Sequence, residues 1–230
     1  MSSIIRIGLV EDQHLFREGI KSILSSYTDL EVVMESANGY SVLEKLQQLE
    51  SIGKIPHVLL VDLTLPPING KAFNGLDVTT AVTTQFPDLR VVILSAHDDQ
   101  RFIAELIEHG AHGYLVKDSD PKEVYDAICA VFEKGLYINE RTLKAIQQNL
   151  ANKNRKTLKI DNIQHDLTKR EIEVLQLVCQ QMTAEEVADR LFISVKTVNG
   201  HKNNLLQKTN SRNTAGLVLY AIKYKIVDLI

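Results

Sequence analysis

The first 130 residues alternate regularly between short apolar runs and amphipathic segments, and this alternation restricts the possible folds more than any other feature of the chain. Five apolar runs have the length of strands, and the segments between them show helical periodicity. Strands that alternate with helices form a parallel sheet with helices on both faces. We therefore expect an α/β domain with a doubly wound, five-stranded parallel sheet. The predicted strands are Ile4–Val10, Glu31–Glu35, His57–Leu63, Arg90–Ala96 and Gly113–Lys117, and the predicted helices are His14–Tyr27, Ser41–Leu49, Leu76–Phe86, Gln100–His109 and Lys122–Lys134.

The part of the chain after Pro121 contains no proline, and its periodic segments are all of the helical kind. Two Thr-x-x-Glu sequences, Thr168–Glu171 and Thr183–Glu186, fit the capping box that begins a helix, and Ser194 is a third cap candidate. These signals predict a small all-α domain in which two short helices, a tight turn and a third helix form a helix-turn-helix. The predicted helices cover residues 169–180, 184–191, 195–208 and 212–224.

A polar stretch separates the two regions and predicts a linker. We assign residues 4–134 to the α/β domain, residues 135–162 to the linker and residues 163–228 to the helical domain. Leu136–Leu150 has the pattern of a linker helix. The polar residues Ala151–His165 that follow are typical of a flexible tether.

The charge of the chain is divided unevenly between its two parts. Residues 151–230 carry 13 Lys and Arg against 8 Asp and Glu, a net charge of +5, so the overall charge of −3 leaves −8 for residues 1–150. A basic C-terminal part favours contact with a polyanion. No apolar run approaches the roughly 20 residues of a membrane helix. The N-terminus also lacks the pattern of a signal peptide, so we expect a cytoplasmic protein without membrane contact.

Residues that can do chemistry follow four of the predicted strands at the same edge of the sheet. Glu11 and Asp12 follow the first strand, and Asp62, Ser95 and Lys117 end the third, fourth and fifth. Ligand sites in open α/β sheets form at the carboxyl ends of the strands, so these side chains should converge. Three carboxylates close together need a cation, and oxygen ligands of this kind suit Mg²⁺. Asp62 could then act as a nucleophile toward a phosphoryl group, with Lys117 and Ser95 bonding to the phosphate.

The same residues lie in four motifs that resemble the receiver domain of bacterial response regulators, which has a flavodoxin-like fold. The motifs are VEDQ at 10–13, VLLVDLTLP at 58–66, LSA at 94–96 and GYLVKD at 113–118. The resemblance implies that a sensor histidine kinase phosphorylates Asp62 and that the cofactor is Mg²⁺. The implied site residues are Glu11, Asp12, Asp62 and the backbone carbonyl of Thr64 for the metal, and Ser95, Lys117 and the aromatic switch residue Tyr114 for the phosphate and its response.

One segment departs from the receiver pattern. The family usually runs from the phosphorylated Asp through a Pro to a single Gly that opens the third helix, whereas here Gly70-Lys71-Ala72-Phe73-Asn74-Gly75 intervenes, an apparent insertion of about five residues. Two interpretations remain open. The segment is either a tolerated surface loop, since added loop length costs little free energy, or a contact with a partner beside the pocket.

The third predicted helix of the C-terminal domain combines an apolar stripe with a polar face. Val195, Val198 and Leu205 form the stripe. Amide side chains on the polar face can read base edges, and Lys and Thr side chains can anchor phosphates. The predicted DNA-binding residues are Lys196, Thr197, Asn199, Gly200, His201, Lys202, Asn203 and Lys208.

The C-terminal domain resembles the LuxR-type domain of NarL/FixJ response regulators. The resemblance rests on LTKREIEVLQLV at 167–178, EEVADRLFISVKTVNGHKNNLLQK at 185–208 and LYAIKYKIV at 219–227. It implies that the third helix enters the major groove of DNA, where Gly200 replaces a larger residue common in the family. The two resemblances together imply a two-component regulator of transcription that binds promoter DNA when phosphorylated. They also imply a homodimer in the phosphorylated or DNA-bound state, and a protein that is not an enzyme.

Two other functions remain open from the residues alone. A phosphohydrolase with an aspartate nucleophile shares the α/β sheet and the strand-end Asp, but it typically needs a second Asp two residues later, where this chain has Thr64. A constitutive DNA-binding regulator with a vestigial receiver is the other alternative. The complete set of pocket residues argues against it.

Overall fold

The computed structural model describes residues 4–67, 70, 73–96, 100–144, 146–147 and 167–227. Contacts divide the chain into two units, residues 1–98 with 109–132, and residues 99–108 with 133–230. The sequence-based domain limits remain predictions. Within the described residues, no helix is both long and apolar enough to cross a membrane.

The first unit is built on a five-stranded parallel sheet with the strand order β2-β1-β3-β4-β5. This arrangement confirms the predicted fold class. The order reverses between β1 and β3, and in open sheets the crevice at such a switch point is the usual ligand site. The central strand β3 is buried along its whole length, as expected for a strand covered on both faces. The strands are Ile5–Val10 (β1), Leu30–Ser36 (β2), Val58–Asp62 (β3), Arg90–Ser95 (β4) and Gly113–Val116 (β5).

Five helices connect or follow these strands, and their bounds lie close to the predicted ones. Helix α5 begins at Pro121, where the carboxylate of Asp120 accepts a hydrogen bond from the amide of Lys122 at 2.8 Å. Proline is well suited to the first helical position since its missing N–H has no partner there. The helices are His14–Ser25 (α1), Val42–Ser51 (α2), Gly75–Gln85 (α3), Gln100–Glu108 (α4) and Pro121–Lys134 (α5). The division by contacts assigns α4 to the second unit.

Strand register brings the predicted site residues to one edge of the sheet. Asp62 is paired with Leu94, the residue before Ser95, across β3 and β4. The amide of Lys117 donates to the carbonyl of Ser95 at 2.8 Å. The amide of Glu11 extends β1 by donating to β2. The carboxyl ends of the strands therefore meet as the sequence predicted.

The predicted linker helix begins later than expected. Leu136–Leu150 was expected to be helical throughout, but the helix covers residues 140–144 and 146–147 of the described chain. Asn139 explains the later start, because its side chain accepts a hydrogen bond from the amide of Thr142 at 2.8 Å and caps the helix. Gly135 breaks the chain direction before it with a φ of +78°. The predicted tether at 151–165 lies outside the described residues.

The second unit contains the predicted helix-turn-helix. Both predicted capping boxes are present. The side chains of Thr168 and Thr183 accept hydrogen bonds from the amides three residues later, and the carboxylates of Glu171 and Glu186 accept hydrogen bonds from the amides of the two threonines. Ser194 caps the third helix by accepting from the amide of Thr197. The helices are Lys169–Cys179 (α6), Ala184–Leu191 (α7), Val195–Thr209 (α8) and Thr214–Lys223 (α9).

The turn between α7 and α8 has an unusual occupant. Phe192 lies in the left-handed region with a φ of 55°, and its side chain is 94% exposed. A left-handed backbone costs an L-residue roughly 1–2 kcal/mol, which is why Gly and Asn usually take such positions. The ring of Phe192 recovers little of that free energy through burial.

Candidate functional site

A cluster of three carboxylates lies at the switch point of the sheet. Glu11, Asp12 and Asp62 each offer a carboxylate oxygen, and these oxygens lie within 4.8 Å of one another. Glu11 and Asp62 are buried, each 2% exposed. The Oδ1 atom of Asp12 is buried without a hydrogen-bond partner. The structure thus brings together the three side chains that the sequence singled out.

Lys117 supplies the positive charge in this cluster. Its Nζ atom lies 2.7 Å from Oε2 of Glu11 and donates to Oδ2 of Asp62 at 3.0 Å. The ammonium also lies 4.7 Å from the centre of the Phe16 ring, a cation–π distance. The pairing with Asp62 was expected from the sequence. The contacts with Glu11 and Phe16 were not, because they depend on how far the side chain reaches.

Thr64 and Ser95 also lie at this edge, whereas Tyr114 lies two residues before the end of β5. The amide of Thr64 donates to Oδ1 of Asp62 at 3.1 Å, so the residue two positions on orients the carboxylate. Ser95 ends β4 and is 5% exposed. Tyr114 lies in β5 and is buried. The roles of Ser95 and Tyr114 in a switch stay predictions.

Burial and charge oppose each other in the pocket. Burial raises the pKa of Asp62 above its ordinary value, with Asp12 adding to the rise, although bonds from Lys117 and Thr64 oppose it. Burial likewise raises the pKa of Glu11. Burial alone would lower the pKa of Lys117, but its bonds to the two carboxylates outweigh this and raise it. The pocket therefore holds a firmly charged lysine among carboxylates that burial makes costly to ionise.

Gly75 was identified from the sequence as part of the insertion, but its role in the site was not predicted. A Cβ built on Gly75, the first residue of α3, would collide with the carbonyl oxygen of Asp62. The amide of Gly75 also donates to the carbonyl of Leu63 at 3.0 Å. Only glycine fits this close approach, so the glycine that ends the insertion supports the strand that carries Asp62.

In the second unit, α8 presents most of the predicted DNA-binding residues to solvent. The stripe residues Val198 and Leu205 are fully buried, which fixes the opposite face outward. A Cβ at Gly200 would meet no atom within 4 Å, so the absent side chain leaves open space on this face. The exposed members are Lys196, Thr197, Asn199, Gly200 and Asn203, and the half-buried ones are His201, Lys202 and Lys208.

The structure gives Lys208 a partner inside the domain. Its Nζ atom donates to Oε2 of Glu171, a carboxylate only 3% exposed, at 2.8 Å. The same oxygen accepts bonds from the amide and hydroxyl of Thr168. Burial alone would raise the pKa of Glu171, but the bonds from Lys208 and Thr168 outweigh it and lower the pKa. This contact favours a structural role for Lys208, and a phosphate contact stays a prediction.

We expect the Glu171–Lys208 pair to stabilise the second unit in a pH-dependent manner. Because the pKa of Glu171 is lowered by folding, its contribution is present above the pKa of the unfolded side chain and is lost as the pH falls through the folded pKa. Glu171→Gln should therefore lower the free energy of unfolding by about 2 kcal/mol at neutral pH. The difference from wild type should shrink in acid, which urea titrations at several pH values would measure.

Glu173→Gln provides a matched control on the same helix. Glu173 pairs with Arg170 at 2.7 Å but is half exposed, and exposed pairs contribute within about 1 kcal/mol. Equal losses for the two variants, or a difference between Glu171→Gln and wild type that ignores pH, would contradict the prediction.

Comparisons with known proteins find a family match in each of the two units. The family of the response regulator receiver domain matches residues 7–129, and the family of bacterial regulatory proteins, luxR family, matches residues 165–221. Oxygen regulatory protein NreC of Staphylococcus carnosus (strain TM300) is 31% identical over 225 residues, which cover 97% of this chain and 100% of that protein. NreC of Staphylococcus aureus (strain MRSA252) is 30% identical over the same length.

Solved structures of response regulators share the fold. Response regulator ChrA of a heme-sensing two-component system matches with a TM-score of 0.50 and 27% identity, covering 99% of this chain and 100% of that one. The two-component response regulator RcsB in complex with DNA matches with a TM-score of 0.54 and 21% identity, covering 96% and 99%. The chain belongs to the response regulators that join a receiver domain to a LuxR-type DNA-binding domain.

Proposed function

We propose that Asp62 accepts a phosphoryl group from a sensor histidine kinase and that this event controls binding of promoter DNA by α8. The observation that carries the proposal is the position of Asp62, at the end of β3 among two further carboxylates and in contact with Lys117. A carboxylate in this setting can act as a nucleophile, because the lysine lowers the charge repulsion that an incoming phosphate meets.

The acidic cluster fits Mg²⁺. Asp12 has a buried oxygen without a hydrogen-bond partner, and the three carboxylates supply the hard oxygen ligands that this ion prefers. Glu11, Asp12, Asp62 and the carbonyl of Thr64 are the residues that would hold it. When bound, the ion would neutralise the carboxylates and screen the oxygens of the phosphoryl group.

The residues of the chain have separate tasks in this proposal. A carboxylate oxygen of Asp62 forms the new bond to phosphorus as the bond to the donor breaks. The amide of Thr64 keeps the carboxylate oriented, and Lys117 moves its ammonium to the phosphate oxygens. The hydroxyl of Ser95 donates to the same phosphate, and Tyr114 follows that movement as the switch residue. The phosphate adds about −1.5 to −2 charge units, which biases a surface with two states.

The outcome of this switch is transcription regulation. The exposed polar face of α8 reads the major groove, and two phosphorylated or DNA-bound chains form a homodimer on a two-fold site. The promoter as target implies a cytoplasmic protein. The RcsB complex with DNA supports the proposal by its shared fold.

The two alternative functions find less support. A phosphohydrolase would need an acid at position 64, where the chain has Thr, so we propose a regulator that is not an enzyme. A vestigial receiver would not need a buried Asp62 held by both Lys117 and Thr64.

The wild-type protein tests the proposal directly. Incubation with labelled acetyl phosphate and Mg²⁺ should leave about one stable phosphoryl group per chain and should raise the affinity for promoter DNA. Continuous release of inorganic phosphate at enzymatic rates would favour the hydrolase. A chain that takes up no label yet binds DNA tightly would favour the vestigial receiver.

A further inference from the structure

The inserted segment contains an aromatic residue, Phe73, whose contacts the phosphorylation chemistry does not explain. The ring of Phe73 lies 5.0 Å from the ring of Tyr40 at an angle of 35°. A Cβ built on Gly39 would come within 2.7 Å of the Phe73 ring. Gly39 thus makes room for the ring, which anchors the end of the insertion on the loop between β2 and α2.

The residues that follow this ring hold the main chain of Asp62. Asn74 caps α3 through a reciprocal pair of bonds with Asp77. The next residue, Gly75, donates to the carbonyl of Leu63 and lies directly against the carbonyl of Asp62. The first residues of α3 therefore support the end of β3, together with the pairing of β3 and β4.

The connecting segment between β3 and α3, which includes the insertion, also holds the carboxylate. Near its start lies Thr64, whose amide donates to Oδ1 of Asp62 at 3.1 Å. The bond between Gly75 and Leu63 joins the two ends of the segment, so a shift at one end is transmitted to the other. The main chain and side chain of the phosphoryl acceptor both depend on how this segment is anchored.

We propose that Phe73 is a positioning residue for the phosphorylation of Asp62. Its contact with Gly39 and Tyr40 fixes Asn74 and Gly75, and these in turn fix the nucleophile. The inference rests on the proposed function and deepens it, because it assigns a task to an insertion outside the four pocket motifs. Reaction rates respond steeply to the placement of a nucleophile, so a modest shift should be measurable.

The test compares rates of phosphorylation by acetyl phosphate at saturating Mg²⁺, at temperatures where every variant is folded. We expect Phe73→Ala to react about tenfold more slowly than wild type. Phe73→Tyr keeps the ring and should retain the wild-type rate. Should Phe73→Ala fail to fold, Tyr40→Leu removes the same ring contact from its partner and should also slow the reaction.

Phe132→Ala is the matched control. Phe132 is a half-buried aromatic residue of the same unit, but its ring contacts His57 and Arg90 at the amino ends of the strands, away from Asp62. The Phe132→Ala variant should unfold at a lower temperature than wild type, and its rate of phosphorylation should be unchanged.

The outcomes separate the two proposals. A Phe73→Ala variant that reacts as fast as wild type, or a Phe132→Ala variant slowed equally, overturns the positioning role alone. A wild-type protein that takes up no label overturns the proposed function, and the positioning role with it.

Discussion

Asp62→Asn should abolish the uptake of a phosphoryl group from acetyl phosphate and from a sensor kinase. The amide that replaces the carboxylate is a poor nucleophile, and it removes one charge from the predicted metal site. The phosphorylation-dependent increase in DNA affinity should disappear as well, while the basal affinity stays near that of wild type. Gel separation of phosphorylated protein and DNA titrations with and without the phosphodonor would measure both.

Stability measurements distinguish this effect from misfolding. Because burial raises the pKa of Asp62 in the folded protein, its charged form is less stable there than in the unfolded chain. Removing the charge should therefore leave the free energy of unfolding at neutral pH unchanged or higher. Asp118→Asn is the matched control, since Asp118 is an exposed aspartate one position after Lys117. Labelling of Asp62→Asn to the wild-type level would show that another residue is the acceptor.

Asn203→Ala should lower the affinity for specific DNA by about 1–3 kcal/mol while leaving binding to a scrambled duplex nearly unchanged. Asn203 and Asn199 are exposed and four residues apart on α8, so their amides lie on one face. An amide can form two hydrogen bonds with adenine, which carries sequence information. Titrations against specific and scrambled duplexes at several salt concentrations would measure the two affinities.

Lys202→Ala is the companion variant, since a lysine that contacts phosphate carries no direct sequence information. It should weaken binding to both duplexes and reduce the log–log salt slope by about one unit. If Asn203→Ala instead weakens binding to both duplexes equally, the amide of Asn203 does not read bases. The face of α8 that meets DNA would then differ from the one we infer from the burial of Val198 and Leu205.

Features that depend on the local sequence pattern were predicted well. Strand and helix bounds followed from periodicity, and the capping boxes at Thr168 and Thr183 marked the helix starts. The convergence of Asp12, Asp62 and Lys117 was predictable because parallel strands end at one edge of a sheet.

Contacts between distant side chains were less predictable. The pairing of Lys208 with Glu171 depends on how α8 packs against α6, and periodicity gives a face without a packing angle. The approach of Gly75 to Asp62 depends on the path of the inserted segment, for which the receiver pattern offers no precedent. The predicted start of the linker helix at Leu136 was wrong, because the prediction followed the apolar pattern, whereas the side chain of Asn139 caps the helix three residues later.

The turn of the helix-turn-helix contains a residue type that does not suit its backbone conformation. Phe192 holds a backbone conformation that Gly or Asn would adopt with less strain, and its ring is almost wholly in solvent. Replacement by either residue would sacrifice little buried apolar area. Position 192 is therefore a place where the domain can be made more thermostable without altering its core. By the same reasoning, natural selection for folding alone would not retain an aromatic ring there.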